Sequence, residues 1–108
     1  MSDRTALHTA VDRLAGRLRS LPQRRLQGGA AAQALELARW LSAQAEELEF
    51  PGRAPHTMPN DGLFVVGDQL AVAGHDLAVA LDSAEPGRAA AVAASALERV
   101  ASAARSIG

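Results

Sequence analysis

The chain has 108 residues, 48% of them hydrophobic, and a formal net charge of −1. That is the size of one domain with its own core, and it leaves no global field to draw in nucleic acid or an anionic membrane. The absence of cysteine excludes disulfides, zinc–thiolate sites and cysteine nucleophiles. No apolar run approaches the ~20 residues of a membrane span, and the N-terminus lacks the apolar stretch of a signal peptide. A single cytoplasmic domain over residues 1–108 is expected.

Aromatic residues are confined to Trp40, Phe50 and Phe64, whereas alanine abounds. A core of Ala, Leu and Val suits closely packed helices better than a sandwich, which needs β-branched and aromatic alternation. Leu7, Val11, Leu14, Leu18 and Leu21 alternate steps of four and three, which predicts a first helix over about Ser2 to Arg19 with one apolar seam. Pro22 ends it by removing a donor and restricting Leu21. Ala30, Ala34, Leu37, Leu41, Ala45 and Leu48 mark a second helix from about Gly29 to Glu49. Leu26 lies on the same stripe, so a start at Pro22 is the alternative. Two consecutive glycines are costly inside a helix, which favours a break at Gly28-Gly29.

Phe50 to Gly62 holds Pro51, Pro55 and Pro59 with Gly52 and Gly62 and reads as the one long loop; Asn60 or Asp61 is suited to cap the next helix. That third helix is expected over about Gly62 to Ser83. Glu85-Pro86-Gly87 is a turn that places Pro86 at a helix start. The fourth helix carries Val92, Ala96, Val100, Ala103 and Ile107. Four helices of matched length predict an all-α, four-helix antiparallel bundle, up-down-up-down. Residues 1–27 hold six arginines, and residues 63–85 hold four acids and no base. The first and fourth helices are therefore expected to flank the acidic third.

The third helix is the most informative segment. Val66, Leu70, Ala73, Leu77 and Leu81 form an apolar stripe, and Gly67, Ala71, Gly74 and Ala78 beside it allow close approach of a neighbour. Asp68, His75 and Asp82 make a polar stripe. Val65, Val72 and Val79 recur every seven residues between polar borders, the pattern of a second helical contact. Two readings are open: a seam for self-association or a partner, or simply the most internal helix of the bundle.

No catalytic motif occurs. Ligands on one helix need spacing of three or four, and Asp68 and Asp82 each lie two turns from His75, about 10 Å. No metal and no cofactor are expected. A phosphotransfer histidine would want a nearby cation, and the third helix offers His75 only carboxylates; an ordinary surface histidine paired to an acid is the simpler reading. His8 and Asp12, four apart, are spaced to pair. Two segments suit an anion: Arg24 and Arg25 beside Gly28-Gly29, if free amides collect there, and the 50–62 loop with Arg53 and His56.

The runs Leu18-Arg19-Ser20-Leu21-Pro22-Gln23 to Arg25-Leu26-Gln27, Val66-Gly67-Asp68-Gln69-Leu70 and Ala73-Gly74-His75-Asp76-Leu77 resemble small all-helical hypothetical proteins of actinobacteria, over most of the chain. No activity attaches to that group, so the resemblance implies a lineage and no function. The residues themselves favour a non-enzymatic interaction or regulatory module. Its partner would be itself, as a homodimer through Val65, Val72 and Val79, or another protein; nucleic acid and membrane are not expected partners. The alternative is a small-ligand or anion binder using Arg53 and His56, or Arg24 and Arg25.

Overall fold

The computed structural model describes residues 2–108. They form α1 (Asp3–Ser20), α2 (Gln23–Arg25), a π-helical turn (Leu26–Ala30), α3 (Ala31–Glu49), α4 (Val66–Ala80) extended by a 3-10 turn (Leu81–Ser83), and α5 (Pro86–Ile107). The all-α expectation holds, and the four long helices pack as a bundle.

Local chemistry accounts for the boundaries. The Ser2 hydroxyl accepts from the Thr5 amide and caps α1. Leu21 and Pro22 are extended, with ψ of 141° and 149°, as a residue before proline and a helix-preceding proline require. Beyond Pro22 the chain is helical at once, so the second helix begins before the glycines. The expected break is nevertheless present: Gly29, at φ 127°, interrupts the helix inside the π turn, a conformation only glycine adopts without strain. Glu85 caps α5 by accepting from the Gly87 and Arg88 amides, with Pro86 in the first turn. Neither Asn60 nor Asp61 caps α4. It starts four residues later than expected, at Val66, without a side-chain cap, and Asn60 instead closes a local turn on the Gly62 amide.

Helix directions follow from the cross-helix pairs. Arg4 meets Asp82 and Arg19 meets Asp68, so α1 runs antiparallel to α4. Gln33 meets Ser106 and Glu47 meets Arg88, so α3 runs antiparallel to α5. The starts of α3 and α4 share one cleft, lined by Ala31, Leu35, Leu63 and Val66, so those two run parallel. The order is therefore up, down, down, up rather than up-down-up-down. The reason is the 50–65 segment. It does not turn at the end of α3 but runs back along it: the His56 amide bonds Glu46, the Met58 carbonyl accepts from Arg39, and Leu63 lies by Leu35. Its length spans the bundle.

Packing is crossed. Both α1 and α3 pack on α4 and α5, while α1 and α3 scarcely touch each other. One apolar cluster joins them, with Leu7, Val11, Leu14, Leu41, Leu70 and Leu77 among its most buried members. Arginines of α1 do flank acidic α4, but α5 packs on α1 and α3 instead. No helix of the described residues is long and apolar enough to cross a membrane.

Candidate functional site

The faces of α4 divide by residue size and charge. Val66, Leu70, Ala73 and Leu77 are buried against the core. Gly67 and Gly74 face α1 at close range: a Cβ built on Gly74 would lie 2.5 Å from a methyl of Val11, and one on Gly67 would lie 3.2 Å from the Ala15 carbonyl oxygen. The small-residue stripe thus receives α1. What remains is the seven-residue valine line, and it faces outward. Val65 is 37% exposed, Val72 60% and Val79 49%, with Phe64 at 72% beside the first of them. Both sequence readings describe part of this helix: it is deeply buried on two sides and open on the third.

The α1 side of the seam carries three cross-helix pairs at successive heights. Arg19 bonds Asp68 at 2.7 Å, the His75 ring nitrogen meets Asp12 at 2.7 Å, and Arg4 meets Asp82 at 2.6 Å. Asp12 therefore pairs across the helix interface and not with His8; the His8 ring lies edge-on to His75, with centroids 4.6 Å apart. These pairs are about half exposed, and each contributes at most about 1 kcal/mol. On the other side the returning segment meets α4. Gln69 donates to the Pro59 carbonyl at 2.9 Å and reaches Asp61 at 3.4 Å. Met58, Asp61, Val65, Asp68, Gln69 and Val72 line an open, largely apolar groove of about 390 Å³.

The anion candidates do not converge. Arg53 lies over the Phe50 ring at 4.2 Å, and the His56 amide is held by Glu46 at 2.6 Å; both residues are exposed. Arg24 is exposed near the opposite end of α3, and Arg25 donates to the Ile107 carbonyl at the end of α5. With the helix already begun at Gln23, Gly28 and Gly29 lie within a helical turn rather than at a free N-terminus. Among the described residues, no cluster of three or more His, Asp or Glu side chains is arranged to hold a metal.

Two surface features escaped the sequence reading because each is assembled from two helices. Trp40 of α3 stacks under Arg99 of α5, 4.3 Å from guanidinium carbon to ring centre, in a cleft with Gln33, Glu36 and Ser102. Between α1 and α5 lies a second apolar groove, of about 380 Å³, edged by Arg13 and Arg17. Arg13 and Arg17 belong to the basic stretch of residues 1–27; the apolar floor beneath them is a product of α1 and α5 lying side by side.

No family model matches the chain, and no curated protein or solved structure does either.

Proposed function

We propose that this protein is a non-enzymatic self-association module and that the valine seam of α4 is its contact surface. One observation carries the reading. Of the five exposed large apolar side chains among the described residues, four (Phe64, Val65, Val72 and Val79) lie together on or beside one helix. A clustered apolar patch rimmed by polar groups is the ordinary mark of a protein interface, whereas scattered exposed apolar residues need no explanation. The groove beside Val72 widens the patch with Met58.

The alternative, an anion site on the 50–62 segment, has less support. Its guanidinium rests on Phe50 and its backbone is fastened to α3, so the segment's length has a structural use. The His75–Asp12 pair is the nearest arrangement to acid–base machinery, and it lies outside the Trp40 cleft and both apolar grooves.

Sedimentation of the wild type and of Val72→Asp tests the proposal. The wild type is expected to associate at high micromolar concentration. Val72→Asp should sediment as a monomer with its helical circular dichroism intact, since Val72 takes no part in the core. A wild type that remains monomeric at several hundred micromolar overturns the reading.

A further inference from the structure

The α4 seam carries charges that find no complement in a second copy of the same seam. Asp61 and Asp76 border the seam and meet no cation among the described residues, while the arginines on its other flank, Arg4 and Arg19, are already bonded to Asp82 and Asp68. A second α4 would bring more acids and no free guanidinium.

The missing complement is elsewhere on the same molecule. The groove between α1 and α5 is floored by Ala10, Leu14, Val100, Ala101 and Ala104, with Leu97 as a wall. Alanines keep the floor low, and the valine row of α4 supplies the ridge of side chains to lie on it. No carboxylate lines it. Arg13 and Arg17 do; Arg13 meets no acid among the described residues, and Arg17 donates only to the Ala104 carbonyl, at 3.3 Å. Arg13 and Arg17 are one helical turn apart, as are Val72 and Asp76, about 6 Å in each case. A ridge laid along the groove can therefore set Val72 on the alanine floor while Asp76 reaches an arginine.

We propose that the seam of one copy docks in the Arg13–Arg17 groove of another. This rests on the self-association reading and specifies its geometry. The contact joins two different surfaces of one chain, so it is head-to-tail: each copy has one ridge and one groove to offer, and association continues to a ring or an open filament instead of stopping at a two-fold dimer. Opposite charge on the two surfaces also disfavours ridge-to-ridge and groove-to-groove encounters.

Mixing two variants decides it. Val72→Asn spoils the ridge by setting an unpaired amide on the apolar floor and leaves the groove; the Arg13→Glu/Arg17→Glu double variant spoils the groove and leaves the ridge. Each alone should sediment as a monomer, and an equimolar mixture should form a complex of two chains and nothing larger, because one sound ridge and one sound groove remain. If the groove variant alone still forms a dimer, α4 pairs with α4 and the head-to-tail contact is wrong while self-association stands. If both variants are monomeric and the mixture is too, the groove is not the partner surface. A monomeric wild type removes both proposals. Circular dichroism melting checks that the double variant folds; should it not, Arg13→Glu alone, whose side chain makes no hydrogen bond among the described residues, takes its place with the same expected outcomes.

Discussion

Gly74 shows how one missing methyl group sets a helix spacing. The Cα of this residue sits against the Val11 side chain, so that an added Cβ would meet three Val11 carbons at 2.5, 2.6 and 2.9 Å. Val11 is fully buried and β-branched, which leaves it no rotamer to retreat into. Gly74→Ala is therefore expected to destabilise the fold by about 1–3 kcal/mol through overpacking, even though alanine is the better helix former. Gly16, about one turn from the end of α1, faces open space with no atom within 4 Å of a built Cβ. There the propensity term acts alone, and Gly16→Ala should gain about 0.5–1 kcal/mol. Thermal melts of the pair are the check: opposite shifts of several degrees are expected for a domain of this size. A Gly74→Ala variant as stable as the wild type would mean that α1 and α4 lie further apart.

At the scale of the element, the returning 50–65 segment depends on few attachments. Glu46 accepts from the His56 amide, Arg39 donates to the Met58 carbonyl at 2.9 Å, and Gln69 donates to the Pro59 carbonyl from α4. Only Met58 and Leu63 of its apolar side chains pack against the core. Local opening of such a segment costs much less than global unfolding. Arg39→Ala removes the middle attachment. It should lower the opening free energy by about 1 kcal/mol, or roughly fivefold in the open population. Arg53–Ala54 is an exposed tryptic bond in this segment, so the first cleavage there should accelerate by a similar factor, read by mass spectrometry of the 1–53 fragment. An unchanged rate would show that the segment is held by its prolines and apolar anchors. The Arg53→Ala/His56→Ala variant should melt as the wild type does, because neither side chain ties the segment to another helix; the Arg53 guanidinium rests only on the exposed Phe50 ring.

The whole molecule is divided in an unusual way by that same segment. Residues before it contain α1 and α3, which scarcely touch; residues after it contain α4 and α5, which make little contact as well. Nearly all helix–helix packing runs between the halves. Each half alone would expose the apolar face of two helices with nothing to bury it, and isolated helices of 15 to 22 residues are marginal in water. Fragments 1–53 and 54–108, made separately, are thus expected to show little helix by circular dichroism and to recover the helix content of the intact chain on mixing. A cooperative thermal melt from either fragment alone would contradict the crossed packing.

Residue type and spacing determined the all-α class, the four long helices, most of the core-facing stripes and the seven-residue valine line of α4, because helical periodicity is a local property written along each segment; that the line faces outward was decided by the packing of α1 and α3 on the other faces of that helix. Gly28-Gly29 likewise marked the interruption, and Pro22 and Pro86 marked their boundaries, since backbone sterics act over one or two residues. Direction and neighbours were decided only by the tertiary structure. A proline-rich stretch of the length of 50–65 can turn at a bundle end or run back along a helix, and its composition is the same in both cases; the choice is made by Glu46 and Arg39, which lie on another element. The partner of Asp12 was settled in the same way, by the approach of α4 at Gly74. So was the Arg13–Arg17 groove: Arg17 of α1 and Ala104 of α5, which meet in it, are 87 residues apart in the chain, and no periodicity within either helix records that they meet.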